Sequence, residues 1–313
     1  SIKLGDLDWQ DHTFAISSFI APDDLHDSLR RCGILSRPWI WKKPDGSMIV
    51  ADGFKRLNWA YNEGLISVDC RVFPPQYDPA RLMLEIAELK LFTAALNAAE
   101  KAQLVSKLSR CISREILQNR YLPRLGIARS PGAIERWIRL AGSDRDLLAA
   151  TALNEVSERA ALELAGWEQP SRSRMVLTLK KLRCSARIQW EIIERIMEIG
   201  VREEIGKMQV LSDPGLVDIV QDENKNHREK TQLLRTWLYQ RRYPRVSARE
   251  ERFAKDLAVM GLPKQVKVLP PPSFEGRNWQ MRFYFTSPDN LFPILKALQN
   301  SASSSQWTEL MRS

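Results

Sequence analysis

Histidine is scarce in this sequence, with only His12, His26 and His227. None lies at metal-ligand spacing from another, which argues against a histidine-based zinc enzyme or a catalytic triad. Cysteine is almost as rare. Cys32, Cys70, Cys111 and Cys184 stand far apart with no CxxC pair, so neither a disulfide framework nor a zinc cluster organises the chain. Reduced thiols in a cytosolic protein are the expectation. No apolar run approaches the roughly 20 residues that span a bilayer, and no signal-peptide pattern is visible at the N-terminus. Internal repeats are absent. What remains is an ordinary globular composition: 313 residues, 44% hydrophobic and 27% charged. That is enough to bury a sizeable core in two or three domains.

The net charge is +9, and its location matters more than its size. Residues 1–80 carry 9 Lys/Arg against 11 Asp/Glu. Residues 101–140 carry 9 against 2, and residues 225–249 carry 8 against 1. Two local basic stretches point to two places where phosphates could bind.

Short strand-like and helix-like pieces alternate through the first ninety residues, predicting a small α/β domain. Ile2 to Leu7 reads as a strand and Pro22 to Cys32 as a helix stopped by Gly33. Trp39 to Lys42 and Met48 to Val50 form two strands across the turn Pro44-Asp45-Gly46. Asp52 to Glu63 is a helix, and Val68 to Phe73 a strand. From Pro79 to about Gln169 the pattern is helical, and the polar run 169–173 reads as a linker. Helices resume over Met175 to Gly200 and Lys230 to Arg242. Val266 and Val268, then Trp279 to Phe285, mark two strands, and Ser287-Pro288 starts a helix to about Leu298. Ser301 to Ser305 reads as disordered tail.

Two stretches carry chemistry. In the first, a strand runs into Gly53, and a helix follows with Lys55 and Arg56 in its first turn. A helix N-terminus attracts anions, and a glycine with two cations beside it suits phosphate. The bland alternative is a solvated helix start. The order of motifs here resembles the N-terminal domain of ParB partition proteins. The matching pieces are Ser28-Leu29-Arg30-Arg31-Cys32-Gly33-Ile34-Leu35, the strand Trp39 to Trp41, and Gly53-Phe54-Lys55-Arg56-Leu57-Asn58-Trp59-Ala60. A further piece, Leu96-Asn97-Ala98-Ala99-Glu100-Lys101-Ala102, is similar to that family's LNPIEEA box. The resemblance implies a fold shared with sulfiredoxin and a switch driven by CTP, or another nucleoside triphosphate, with magnesium. It places Gly53, Phe54, Lys55 and Arg56 at the nucleotide. Two departures stand out. Phe54 replaces the usual Glu or His, and the family's magnesium-binding Glu-Asn pair falls at Leu89-Lys90. Sulfiredoxin activity is set aside, because the loop holds no cysteine.

The second stretch is residues 112–141. Ile112 and Ile116, then Ile134, Trp137, Ile138 and Ala141, have helical spacing, with Gly126 and Ala128-Arg129-Ser130 between. Ser130 and Pro131 suit a helix start. This is the plan of a helix-turn-helix, whose second helix enters the major groove. With Ile134, Trp137 and Ile138 inward, Arg136 and Arg139 face outward, and Arg129 sits at the entrance. Arginines there read guanine edges or bind phosphates. ParB relatives place such a unit directly after the box, and Val156-Ser157-Glu158-Arg159-Ala160-Ala161 resembles their next segment. Pro123 predicts a bend in the first helix, with the recognition helix displaced.

Between 225 and 249, Trp237, Tyr239 and Tyr243 interleave with Arg241, Arg242 and Arg245, a mixture that suits nucleic-acid backbones. The competing reading makes Leu233, Leu234, Trp237 and Leu238 a core stripe. The fold expected is therefore mixed. An α/β ParB/sulfiredoxin-like domain (1–105) precedes an all-α helix-turn-helix domain (106–170) and a C-terminal helical and α+β region (171–313). The expected function is duplex-DNA binding in partition or transcription regulation, in the cytoplasm and on the nucleoid. The resemblance adds a homodimer and a ParA-type ATPase partner. A ParB-like nuclease and an adaptor that has lost its nucleotide site remain as alternatives, and no metal ligands are assigned.

Overall fold

The computed structural model describes residues 1–17, 23–93, 95–302 and 306–312. Pro22 and Ser303 to Ser305, included in the expectations above, lie outside them. The chain divides into two compact units, residues 1–193 with 223–228, and residues 194–222 with 229–313. It is helix-rich with small sheets.

In the first unit, β1 (Ile2–Lys3) and β2 (Leu7–Asp8) flank a 3-10 turn at Leu4–Asp6. The single strand expected over Ile2 to Leu7 is thus broken, and the turn buries Leu4 to 2% exposure. Then come α1 (Asp23–Cys32), β3 (Trp39–Lys42), β4 (Met48–Asp52), α2 (Phe54–Asn62), β5 (Ser67–Val68) and β6 (Arg71–Phe73). The strand expected over Val68 to Phe73 is likewise two strands in different sheets. β5 pairs antiparallel with β1, while β6 joins a four-stranded sheet of order β2-β4-β3-β6. The β3–β4 hairpin forms across Pro44-Asp45-Gly46 as its turn residues dictate, with Gly46 at φ +90°. Leu29 of α1 and Leu57 and Ala60 of α2 pack with Ile40 and Val50 of the sheet.

Beside the hairpin, Lys43 pairs with Asp11 at 2.6 Å. Burial raises the Asp11 pKa, but hydrogen bonds from Lys43 and Thr13 outweigh it and bring the carboxyl from its ordinary 3.8 to about 2. A folded-state pKa below the unfolded one gives stability that is present above 3.8 and lost as pH falls through 2. The shift corresponds to roughly 2 kcal/mol. Asp11→Asn should lose about that much at neutral pH. Denaturant titrations across acid pH should show the parent's stability falling towards the variant's between about pH 4 and 2.

The helical part of this unit contains α3 (Pro79–Thr93), α4 (Ala98–Leu108), α5 (Arg114–Ile116), a π-helical turn at Leu117–Tyr121, α6 (Leu122–Arg124), α7 (Ala133–Ala141), α8 (Arg145–Ala152), α9 (Glu158–Leu164) and α10 (Gln169–Leu182). The run 169–173 is no linker. It forms the first turn of α10, with Pro170 in the opening positions where its missing N–H costs nothing. α11 (Ala186–Glu203) follows.

The second unit comprises the end of α11, α12 (Lys207–Leu211), α13 (Pro214–Gln221), α14 (His227–Arg242), α15 (Pro244–Val259), the β7 (Val266–Leu269)–β8 (Gln280–Phe283) hairpin, α16 (Pro288–Ala302) and α17 (Gln306–Arg312). Ser301 and Ala302, read as tail, extend α16. Among the described residues no helix is long and apolar enough to cross a membrane.

Candidate nucleic-acid interface

The segments α5, the π turn and α6 run on as one continuous helical segment, and α7 follows after the loop 125–132. The π turn falls where Pro123 would otherwise interrupt the helix. Leu122 N–H donates to Leu117 O, five residues back. Pro123 has no N–H to give, and the wider turn spares the helix a break. α7 starts at Gly132, whose φ of +70° suits glycine. Ile134, Trp137 and Leu140 are buried on α7, against α4. Burying each of these side chains contributes roughly 2 kcal/mol, which fixes the helix's orientation. Ile138, expected inward, is 36% exposed. The exposed face is therefore Glu135, Arg136, Ile138 and Arg139, and the inward one is completed by Leu140.

The arginines on this face differ in how they are held. Arg136 folds back over the helix entrance, donating from Nη2 to Ser130 Oγ at 2.7 Å and from Nη1 to the Pro131 carbonyl at 3.2 Å. A Cβ at Gly132 would only touch Nη1, at 3.5 Å, so it is the positive φ and not the space that calls for glycine there. Arg129 donates to the Asn119 carbonyl at 3.3 Å, bracing the turn against the preceding helix. Glu135 pairs with Arg114, so the one carboxylate on the face is already neutralised. Arg139 is exposed and lies against Gly166, where an added Cβ would stand 3.2 Å from its Nη1.

The phosphate candidate is a cavity of about 240 Å³ at the start of α2. Gly53 has φ +90°, and a Cβ there would lie 2.9 Å from the Pro38 Cβ. Both the conformation and the space require glycine. Phe54 is buried and serves the core of the sheet domain. Lys55 and Arg56 do reach the cavity, but each already has an acidic partner. Lys55 Nζ lies 3.4 Å from Glu100, and Arg56 Nη2 lies 3.1 Å from Asp52. Arg56 also donates to the Ser36 carbonyl. A third cation, Lys90 of α3, stands 2.7 Å from the other Asp52 oxygen. Three cations thus face two carboxylates. Magnesium does not fit here. At the positions the resemblance assigns to it, Leu89 has no donor atom and Lys90 brings a positive charge, while Glu88 is turned to Arg120 and Arg124.

In the second unit two arginines of the basic stretch are held by acids of the same unit. Arg241 pairs with Glu203 at 2.7 Å and Asp213 at 2.8 Å, and Arg242 with Glu198 at 3.0 Å. Both were expected at a nucleic-acid backbone, and both stand in ion pairs in this structure. Arg245 alone of the three is exposed. Of the expected core stripe, Leu234 and Leu238 are buried but Leu233 is exposed.

No family model matches the chain, and no curated protein matches it. Among solved structures it is similar to the C-terminally truncated chromosome-partitioning protein ParB from Caulobacter crescentus, complexed to the centromeric parS site. The match has 18% identity, covers 60% of this chain and 93% of that one, and has a TM-score of 0.26. At that score the two chains do not superpose as wholes.

Sequence reasoning missed the pairings of Asp52 and Glu100 with the cations of this cavity. Two local signals could have found them. Asp52 and Arg56 have the i,i+4 spacing of an ion pair. Asn97 and Glu100 have the spacing of a capping box, which the structure shows formed at the start of α4. Lys90 has no such signal, because its partner lies far away in sequence.

Proposed function

We propose that this chain binds duplex DNA in the manner of ParB-type proteins, with α7 as the reading helix, in DNA partition or transcription regulation. One observation carries the reading: α7 buries its apolar face and presents Arg136, braced at the helix entrance, together with the exposed Arg139. Recognition helices contact base edges from their N-terminal residues, and Arg136 is held there. Homodimerisation, a ParA-type ATPase partner and a place on the nucleoid belong to the same proposal and rest on the resemblance. Fluorescence anisotropy against duplex DNA tests it. With about six phosphates contacted, log K should fall against log salt with a slope near −5. Affinity that stays flat from low to moderate salt would reject the reading.

The ion-paired cavity favours a second reading of the N-terminal domain, as an adaptor that no longer takes nucleotide. Calorimetric titration with CTP and with ATP, with and without DNA, separates the two. Binding that disappears in Arg56→Ala supports the nucleotide switch, and no binding by the parent supports the adaptor. The nuclease alternative gains nothing. Among the described residues no group of three or more His, Cys, Asp or Glu could hold a metal ion.

A further inference from the structure

A groove of about 680 Å³ lies outside both sites, lined by residues of α3 and of the helix that precedes the recognition turn. Leu84 and Leu89 of α3 supply aliphatic surface to it. Phe92, near the end of the same helix, also lines it and is 89% exposed. Phe92 shares one lining with Leu84 and Leu89, and a joined apolar patch with a polar rim, unlike a lone exposed side chain, marks an interaction surface.

The rim is cationic in a particular way. Arg81 pairs with Glu85, and Arg120 and Arg124 both pair with Glu88, so three guanidiniums meet two carboxylates. Arg81 and Arg120 are the outer members of their pairs, 71% exposed against 33% and 64% against 37%, while Arg124 and Glu88 are about equally exposed. A partner arriving at the groove meets positive charge first. A second copy of this chain is a poor occupant by the same face, because arginine would meet arginine. Single-stranded nucleic acid needs successive bare rings for its bases. Trp39 cannot serve as one freely, since Arg71 sits 5.0 Å from its centroid and Phe73 packs at 5.3 Å. Tyr121 also lines the groove but is buried, which leaves Phe92 as the bare ring of this lining.

We propose that this groove docks an acidic amphipathic helix of a partner protein. Its Leu or Phe side chains would lie on Leu84, Leu89 and Phe92, and its carboxylates would meet Arg81 and Arg120. Arginine and aromatic anchors are the residue types that carry most binding energy at such surfaces.

Panning a random peptide phage library on the full chain, with counter-selection on Phe92→Glu, tests the proposal. Enriched peptides should place Asp or Glu around Leu, Phe or Trp at helical spacing. A synthetic copy of the winning peptide should bind with an affinity that weakens in salt. It should lose at least about tenfold in Phe92→Ala and in Arg81→Glu, two exposed positions whose variants should melt like the parent. No enrichment over the counter-selecting variant overturns the proposal, as does a basic consensus or binding that Phe92→Ala leaves unchanged. Oligo(dT) binding lost in Phe92→Ala would give the groove to single-stranded nucleic acid, and self-association lost in that variant would give it to a second copy. Either result also overturns it.

Discussion

Arg136→Ala is expected to weaken binding to a selected DNA site roughly 5- to 150-fold, the equivalent of about 1–3 kcal/mol, while binding to random DNA changes little. The guanidinium is already fixed by Ser130 and Pro131, so less freedom is lost when its planar fork meets a guanine edge. Ser130→Ala removes the hydroxyl brace and keeps the arginine. It should therefore lose part of the selectivity and none of the salt dependence. Arg139→Ala should behave differently. Arg139 lies nearly a turn further along α7, and in the proposed docking it would meet a phosphate rather than a base edge. Its loss should weaken all sequences alike and lower the salt slope by about one. Anisotropy on a selected site and on random DNA, at several salt concentrations, reads all three variants. If every variant binds both DNAs like the parent, α7 is not the reader. The DNA-binding assignment would then move to the second basic stretch, where Arg245 is exposed while Arg241 and Arg242 are paired with Glu203, Asp213 and Glu198.

Local signals made much of the fold legible. The hairpin at 39–52 follows from its turn residues and the stop of α1 from Gly33. The start of α7 departs from expectation: Ser130 and Pro131 suited a helix start, but the helix begins at Ala133 after Gly132 with no side-chain cap, and the Ser130 hydroxyl accepts from Arg136 instead. The errors arise where tertiary packing decides. Ile2 to Leu7 alternates like a strand, but the chain turns after Lys3 so that Leu4 enters the core. Gln169 to Ser173 is polar enough to be a linker. Its Pro170 suits a helix start equally well, and Ser171 and Met175 are buried. Ile138 has the spacing of a core residue, yet Leu140 takes that place on α7. Site residues were legible as residue types and not as partners. Lys55, Arg56, Arg241 and Arg242 all read as free cations, and each meets a carboxylate supplied by another part of the fold or by its own strand end. Charge counted along the chain overstates charge on the surface, because distant acids pair only after folding.

Asp52→Asn should lower stability by about 3 kcal/mol. Asp52 is 4% exposed, and its two oxygens hold Arg56 at 3.1 Å and Lys90 at 2.7 Å. The variant keeps the shape of the side chain but leaves two partly buried cations without their counter-charge, and removing one member of a buried pair costs more than the pair itself contributes. For a unit of this size the melting midpoint should drop by roughly 6–12 °C. The same change alters the cavity at the start of α2, which then presents three cations to the single carboxylate of Glu100. Pyrophosphate or CTP should bind the variant more tightly than the parent, and saturating ligand should raise its melting midpoint by more. The two effects have opposite signs, so one substitution separates a structural acid from an acid that guards an anion site. An unchanged midpoint would show that the Asp52 pairs contribute nothing to the fold. A lowered midpoint that neither ligand raises would mean that Arg56 and Lys90 serve only to hold Asp52, and the N-terminal domain would then be an adaptor without a phosphate site.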